Sequence, residues 1–132
     1  MSVGLVTITH GRIGEELVEA ARQILGRPVL PVRHFAFGPD DDPGAVQRSL
    51  RAAVEELDAE DGVLVLSDLY GATPCNIARR LTPEHHVRVL SGVNLPMVLR
   101  VLNYADLDLD TIARRAAEGG RIGVIDCGPR AG

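Results

Sequence analysis

The sequence contains no tryptophan, and aromatic residues make up only 3% of its 132 positions, so whatever core it builds is aliphatic. It also lacks any cluster of Lys or Arg and carries a net charge of −4. A nucleic-acid footprint is a basic stripe with stacking aromatics, so nucleic acid is not expected as a partner. No apolar run approaches the length that crosses a bilayer, and no basic leader precedes the first strand. The expectation is a cytoplasmic protein that meets membranes only through its partners. The two cysteines, Cys75 and Cys127, are far apart and have no CxxC spacing, which points to reduced structural thiols. G-x-G-x-x-G, Walker A and G-x-S-x-G are all missing, which removes the commonest dinucleotide, NTPase and α/β-hydrolase readings. No cofactor and no metal is expected.

What is present is an ordinary globular balance, 45% apolar and 24% charged, in a length that suits one domain over residues 1–132. Val3 to Thr9 reads as a strand, and from Ile13 the positions Leu17, Ala20, Ala21, Ile24 and Leu25 follow helical spacing to Gly26. A second strand is expected over Pro28 to Phe37, containing His34, which reads as a packing residue. The turn cluster "GPDDDPG" follows, in which Asp40 and Asp41 are turn residues, Asp42 is the N-cap and Pro43 opens a helix. "DGVLVLSD", Asp61 to Asp68, is apolar almost throughout, as in a strand covered on both faces.

After "LYG", Thr73 reads as an N-cap and Pro74 as the first residue of another helix. "HVRVLSGVN" is a fourth strand and turn, preceded by His85 and His86 in a solvated turn. A helix with Leu95, Val98, Leu99 and Leu102 on its apolar face comes next. A last helix is expected from Leu109 to Glu118, stopped by Gly119-Gly120, before a final strand "RIGVID", Arg121 to Asp126. Strands alternating with helices imply a doubly wound, mainly parallel α/β sheet. In such sheets ligands gather beyond the carboxyl ends of the strands. His10, Asp68 and "SGVN" all fall on that edge.

An imidazole at a strand-to-helix junction titrates near neutrality and can form a covalent phosphoramidate. Asp68 is placed to accept the proton of one ring nitrogen and leave the lone pair of the other free. The helix after Gly11 directs backbone N–H groups toward the same point, which favours an anion. The residues by themselves leave a second reading open, with His10 as a turn residue and Asp68 as a cap.

The strand ending in "THG", the later "SDLYGATPCNIA" and "VLSGVNLPMVL" together resemble the IIA component of the mannose/fructose/sorbose-type bacterial phosphoenolpyruvate:sugar phosphotransferase system. The resemblance covers almost the whole chain in three separate motifs. It implies a phosphohistidine carrier in which His10 takes a phosphoryl group from the histidine-containing phosphocarrier protein and Asp68 is the partner carboxylate. The acceptor of that group would be a IIB component serving sugar uptake, or the chain would act as a stand-alone regulator. Gly11, Gly71, Ala72 and Thr73 would support the phosphoryl site. The resemblance further implies strand order 2-1-3-4, with an antiparallel C-terminal edge strand, "RIGVID", exchanged in a homodimer. No IIB-like sequence follows, so a component of a split system or a stand-alone carrier is expected.

Two residues depart from the pattern: Leu69 stands where some members have Thr, and Ala72 replaces a second glycine. Competing readings are a phosphatase, whose motif needs an Arg where Thr9 stands, and a metal-chelatase-like domain, which needs further ligands on the same edge. The carrier domain of dihydroxyacetone kinase systems is a related alternative, disfavoured by "GATP" and "GVNLPM".

Overall fold

Four strands and five helices alternate along the chain in the computed structural model, which describes residues 3–26, 31–58 and 61–129. They are β1 (Gly4–His10), α1 (Ile13–Leu25), β2 (Val32–Phe37), α2 (Pro43–Leu57) and β3 (Val63–Ser67). After these come α3 (Thr73–Arg79), β4 (Val87–Leu90), α4 (Leu95–Asn103) and α5 (Leu109–Ile122). The expected start of the second strand at Pro28 to Leu30 lies outside the described residues.

The sheet order is β2-β1-β3-β4, and every pairing is parallel. Alternation along the strands sends side chains into two cores. Leu5, Leu64 and Leu66 pack with α1, α4 and α5 through Val18, Ala21, Val98, Val101, Ile112 and Ala116. Val6, Ile8, Val63 and Val65 pack with α2 and α3 through Leu50, Val54, Ile77 and Ala78. Helices therefore cover both faces, which explains the unbroken apolar run of β3, all five residues of which are buried. The chain leaves β1 toward β2 and returns to lay β3 on β1's other side. The strand order reverses between β1 and β3, the point at which sheets of this kind place ligands beyond the carboxyl ends of the strands.

Three expectations are corrected. The first is the antiparallel C-terminal edge strand: all strands are parallel, and "RIGVID" does not pair with any described strand. Arg121 and Ile122 complete α5, Gly123 is its C-cap, and Val124 and Ile125 are exposed. The second is the stop at Gly119-Gly120. These glycines lie inside α5 because α4 crosses there: a Cβ on Gly119 would stand 2.3 Å from Arg100 Cγ, and one on Gly120 would stand 3.0 Å from Met97 Cε. Asn94, the N-cap of α4, ties the two helices by donating from Nδ2 to the Gly120 carbonyl at 3.0 Å. The third concerns α3, whose N-cap is Ala72 with no side-chain cap; Thr73 is already helical and exposed. By contrast Asp42 caps α2, accepting the Ala45 N–H at 3.0 Å, with Pro43 in the first turn.

Candidate functional site

The carboxyl ends of the two central strands, where the strand order reverses, carry His10, the last residue of β1, and Asp68, the residue after β3. His10 Nδ1 lies 2.9 Å from Asp68 Oδ2, and the backbone N–H of His10 donates to the same oxygen at 3.2 Å. A carboxylate accepts, so Nδ1 carries the proton and Nε2 keeps its lone pair. The His10 side chain is 48% exposed and that of Asp68 14%, so the ring faces solvent while its anchor is nearly covered. The other oxygen of Asp68, Oδ1, is buried without a partner among the described residues, as is the neighbouring Ser67 Oγ. Burying an unpaired polar atom is costly, and such atoms gather where structure serves function.

The loop that carries His10 is clipped from below. Thr9 is 1% exposed; its Oγ1 accepts the Gly14 N–H at 3.0 Å and donates to the Gly11 carbonyl at 3.3 Å. Gly11 bends through φ +51° and donates its N–H to Phe37 O at 3.1 Å, fastening the turn to the end of β2. Helix α1 has no side-chain cap at Arg12, so Thr9 supplies from the strand what the N-cap position does not. The fit leaves no room for a side chain at Gly14, where a Cβ would stand 2.5 Å from Thr7 Cβ. The anion-directed N–H groups expected here are thus fewer than the sequence suggests, because Gly14's is taken.

On the Asp68 side, Gly71 turns the chain at φ +83°, and its carbonyl accepts from Asn76 Nδ2 at 2.9 Å. The Ala72 N–H donates to Leu69 O at 3.2 Å, closing the turn that leads into α3. Gly11, Gly71 and Ala72 therefore lie in the turns that follow the two strand ends, and Thr73 opens α3 directly after the second of them. The "SGVN" loop joins through the Val93 N–H, which donates to Ser67 O at 3.0 Å and fixes the backbone just before Asp68.

Arg12, two residues from His10, is held by Glu15 and Glu16 at 3.1 and 3.3 Å, and its hydrogen bond keeps the Glu15 carboxyl below the usual carboxylate range. His34 takes no part in the His10–Asp68 contact; its Nδ1 lies 2.7 Å from Thr7 Oγ1, and desolvation pushes it below its ordinary value. His85 contacts Arg51 at 3.4 Å, and Cys75 and Cys127 are free. A cleft of about 680 Å³ beside α3 and β4, lined by Arg79, Arg80 and Arg88, does not include His10 or Asp68. Sequence reading missed Thr9 as a structural clip. Its signal was a hydroxyl residue five positions before a glycine in the first helical turn.

A paired histidine and aspartate at the switch point of a 2-1-3-4 parallel sheet are common to more than one chemistry, and similarity to other proteins decides among them. A family model, the PTS system fructose IIA component of the mannose type, matches residues 4–116. The chain belongs to this family. By that family's description it is a IIA component of the phosphotransferase system. It is 34% identical over 127 residues to the mannose-specific EIIAB component of Escherichia coli K12, covering 94% of this chain and 39% of that protein. The chain thus spans about two fifths of the length of that curated relative. The fructose-specific EIIA component of Bacillus subtilis is 28% identical over 102 residues, 76% of this chain and 68% of that one. Among solved structures, the mannose/sorbose specific IIA subunit from Enterococcus faecalis aligns with a TM-score of 0.87 at 27% identity, over 99% of this chain and 98% of that one.

Proposed function

We propose that Nε2 of His10 is the atom that accepts and returns the phosphoryl group, with the histidine-containing phosphocarrier protein as donor and a IIB component of a sugar-uptake system as acceptor. The observation that carries this reading is the 2.9 Å contact between His10 Nδ1 and Asp68 Oδ2. In the forward step the P–N bond to the donor imidazole breaks while a P–N bond to Nε2 forms, and the donor ring keeps the electron pair. The Nδ1 proton stays in place, and Asp68 offsets the positive charge that the phosphorylated ring gains. Gly11, Gly71, Ala72 and Thr73 shape the space around Nε2, and the exposed Thr73 hydroxyl is available to a phosphoryl oxygen.

In this reading residues 1–132 work as one IIA unit, in the cytosol, as a homodimer. The exposed apolar residues Ile122, Val124 and Ile125 support assembly. The phosphatase alternative finds no support at Thr9, which is buried and holds the turn where that chemistry needs a phosphate clamp.

Incubation with phosphoenolpyruvate, enzyme I and the histidine phosphocarrier is expected to add one acid-labile phosphoryl group to the wild type and none to His10→Ala. Equal labelling of the two proteins would contradict the assignment.

A further inference from the structure

All 14 cationic side chains of the sequence are arginines, and 18 carboxyl side chains outnumber them. In such a chain an arginine without a carboxylate partner calls for a reason. Two adjacent ones, Arg79 and Arg80, line the cleft of about 680 Å³ beside α3 and β4. Neither forms an ion pair among the described residues. Arg80 donates from Nη1 to Gln47 Oε1 at 3.2 Å, and the Arg79 guanidinium lies 5.2 Å from the centroid of the Tyr70 ring, so most of their N–H donors stay unspent. Arg88, the third arginine of the cleft, is held by Asp110 at 2.7 Å and adds no free charge. A cation suits the carbonyl end of a helix, but that effect asks for no concavity of ligand size beside it.

The neighbouring polar side chains narrow what the cleft can hold. Asn76 spends its Nδ2 on the Gly71 carbonyl at 2.9 Å, which leaves Oδ1 free to accept. Thr82 gives its hydroxyl proton to the Arg79 carbonyl at 2.9 Å, which leaves the lone pairs of Oγ1. Two guanidinium forks match a doubly charged phosphoryl group, the ionised form of a phosphate monoester near neutral pH. Acceptors lining the same cleft match hydroxyl groups. The volume is more than an inorganic phosphate fills and falls in the range of small-molecule sites.

We infer that this cleft binds a small phosphorylated polyol, with Arg79 and Arg80 on the phosphoryl group and Asn76 and Thr82 on its hydroxyls. The site is separate from His10 and Asp68, neither of which lines it. It holds its ligand without any bond being made or broken, and it stands independently of the role given to His10.

Isothermal titration calorimetry of the full chain tests this with glucose 6-phosphate and glycerol 3-phosphate, against glucose, succinate and inorganic phosphate. The proteins are wild type, Arg79→Gln, Arg80→Gln and their double variant, with two controls: Arg114→Gln, an exposed arginine outside the cleft, and His10→Ala. Arg79 and Arg80 are exposed, so the variants should keep the fold, which circular dichroism checks. At least one of the two phosphate esters is expected to bind at a single site, about tenfold more weakly in each single arginine variant and undetectably in the double one, with both controls at wild-type affinity. Succinate and inorganic phosphate should bind at least about tenfold more weakly than that ester, and glucose not at all. Raised salt should weaken the ester's binding. No binding of either ester to the wild type, or wild-type affinity in the double variant, would overturn the site. Succinate or glucose binding as tightly would overturn the choice of a phosphate, and inorganic phosphate binding as tightly would overturn the polyol. Loss of binding in His10→Ala would overturn the separation of the two sites. Phosphoryl transfer is not part of the readout, so a negative result here leaves the acceptor reading of His10 standing.

Discussion

One oxygen of Asp68, Oδ2, binds His10 twice, accepting from the ring Nδ1 at 2.9 Å and from the backbone N–H at 3.2 Å. The carboxylate therefore fixes the tautomer of the ring and also the end of the strand that carries it. Ser67 O, holding the Val93 N–H, secures the same point from the β4 side.

Replacing Asp68 by Asn is expected to preserve the fold and slow phosphoryl transfer on the order of 10²-fold, because an amide supplies no charge to the phosphorylated imidazole. Stopped transfer assays with equal protein, checked by circular dichroism, measure this. Transfer at the wild-type rate would reduce Asp68 to a cap.

Thr9→Val removes the acceptor of the Gly14 N–H and the donor to Gly11 O while keeping the side chain's shape. Urea unfolding should show a loss of about 1–2 kcal/mol, the size of a lost helix cap with a stranded amide. Transfer should slow in kcat because the turn beneath His10 loosens, and Thr9→Ser should restore both quantities. A Thr9→Val protein with wild-type stability would show that the clip contributes nothing.

The alternation of elements was legible because each strand and helix had its own period, and the near-continuous apolar β3 announced a parallel sheet covered on both faces. His10 and Asp68 were legible as a pair because both close central strands. The glycines of α5 were not. Gly119-Gly120 reads as a stop on local propensity, but the close crossing of α4 requires residues without a Cβ there, and tertiary contact overrides propensity. The β-branched "RIGVID" misleads in the same way, since Ile122 is drawn into the extended helix and Gly123 rests against Pro96, where a Cβ would come within 2.5 Å. Thr73 resembles an N-cap next to a proline, yet helix α3 begins one residue earlier than that pattern assumes.

Gly119→Ala tests the helix crossing. The added methyl meets Arg100 Cγ, near the root of a side chain that also bonds the Arg115 carbonyl, so a loss of about 1–3 kcal/mol is expected in denaturant unfolding. An unchanged midpoint would mean that α4 and α5 are less closely fixed than described.

His34 makes stability depend on pH. Desolvation lowers its folded-state value below the ordinary 6.5, with Glu15 and Glu19 opposing that shift and Arg22 reinforcing it. The unfolded chain therefore binds the proton more readily. Its contribution is fully present above about pH 6.5 and is lost as pH falls through the lowered folded value. His34→Gln should flatten the stability profile in that acid window, as measured by urea unfolding at a series of pH values. A profile with the wild-type slope would assign the dependence to other groups.

The most direct test of the central claim is nuclear magnetic resonance of the phosphorylated protein with nitrogen-15 in its histidine rings. The geometry at Asp68 predicts a phosphorus coupling to Nε2 of His10, with Nδ1 still protonated. A phosphoryl group on Nδ1, or on any residue other than His10, would contradict the account.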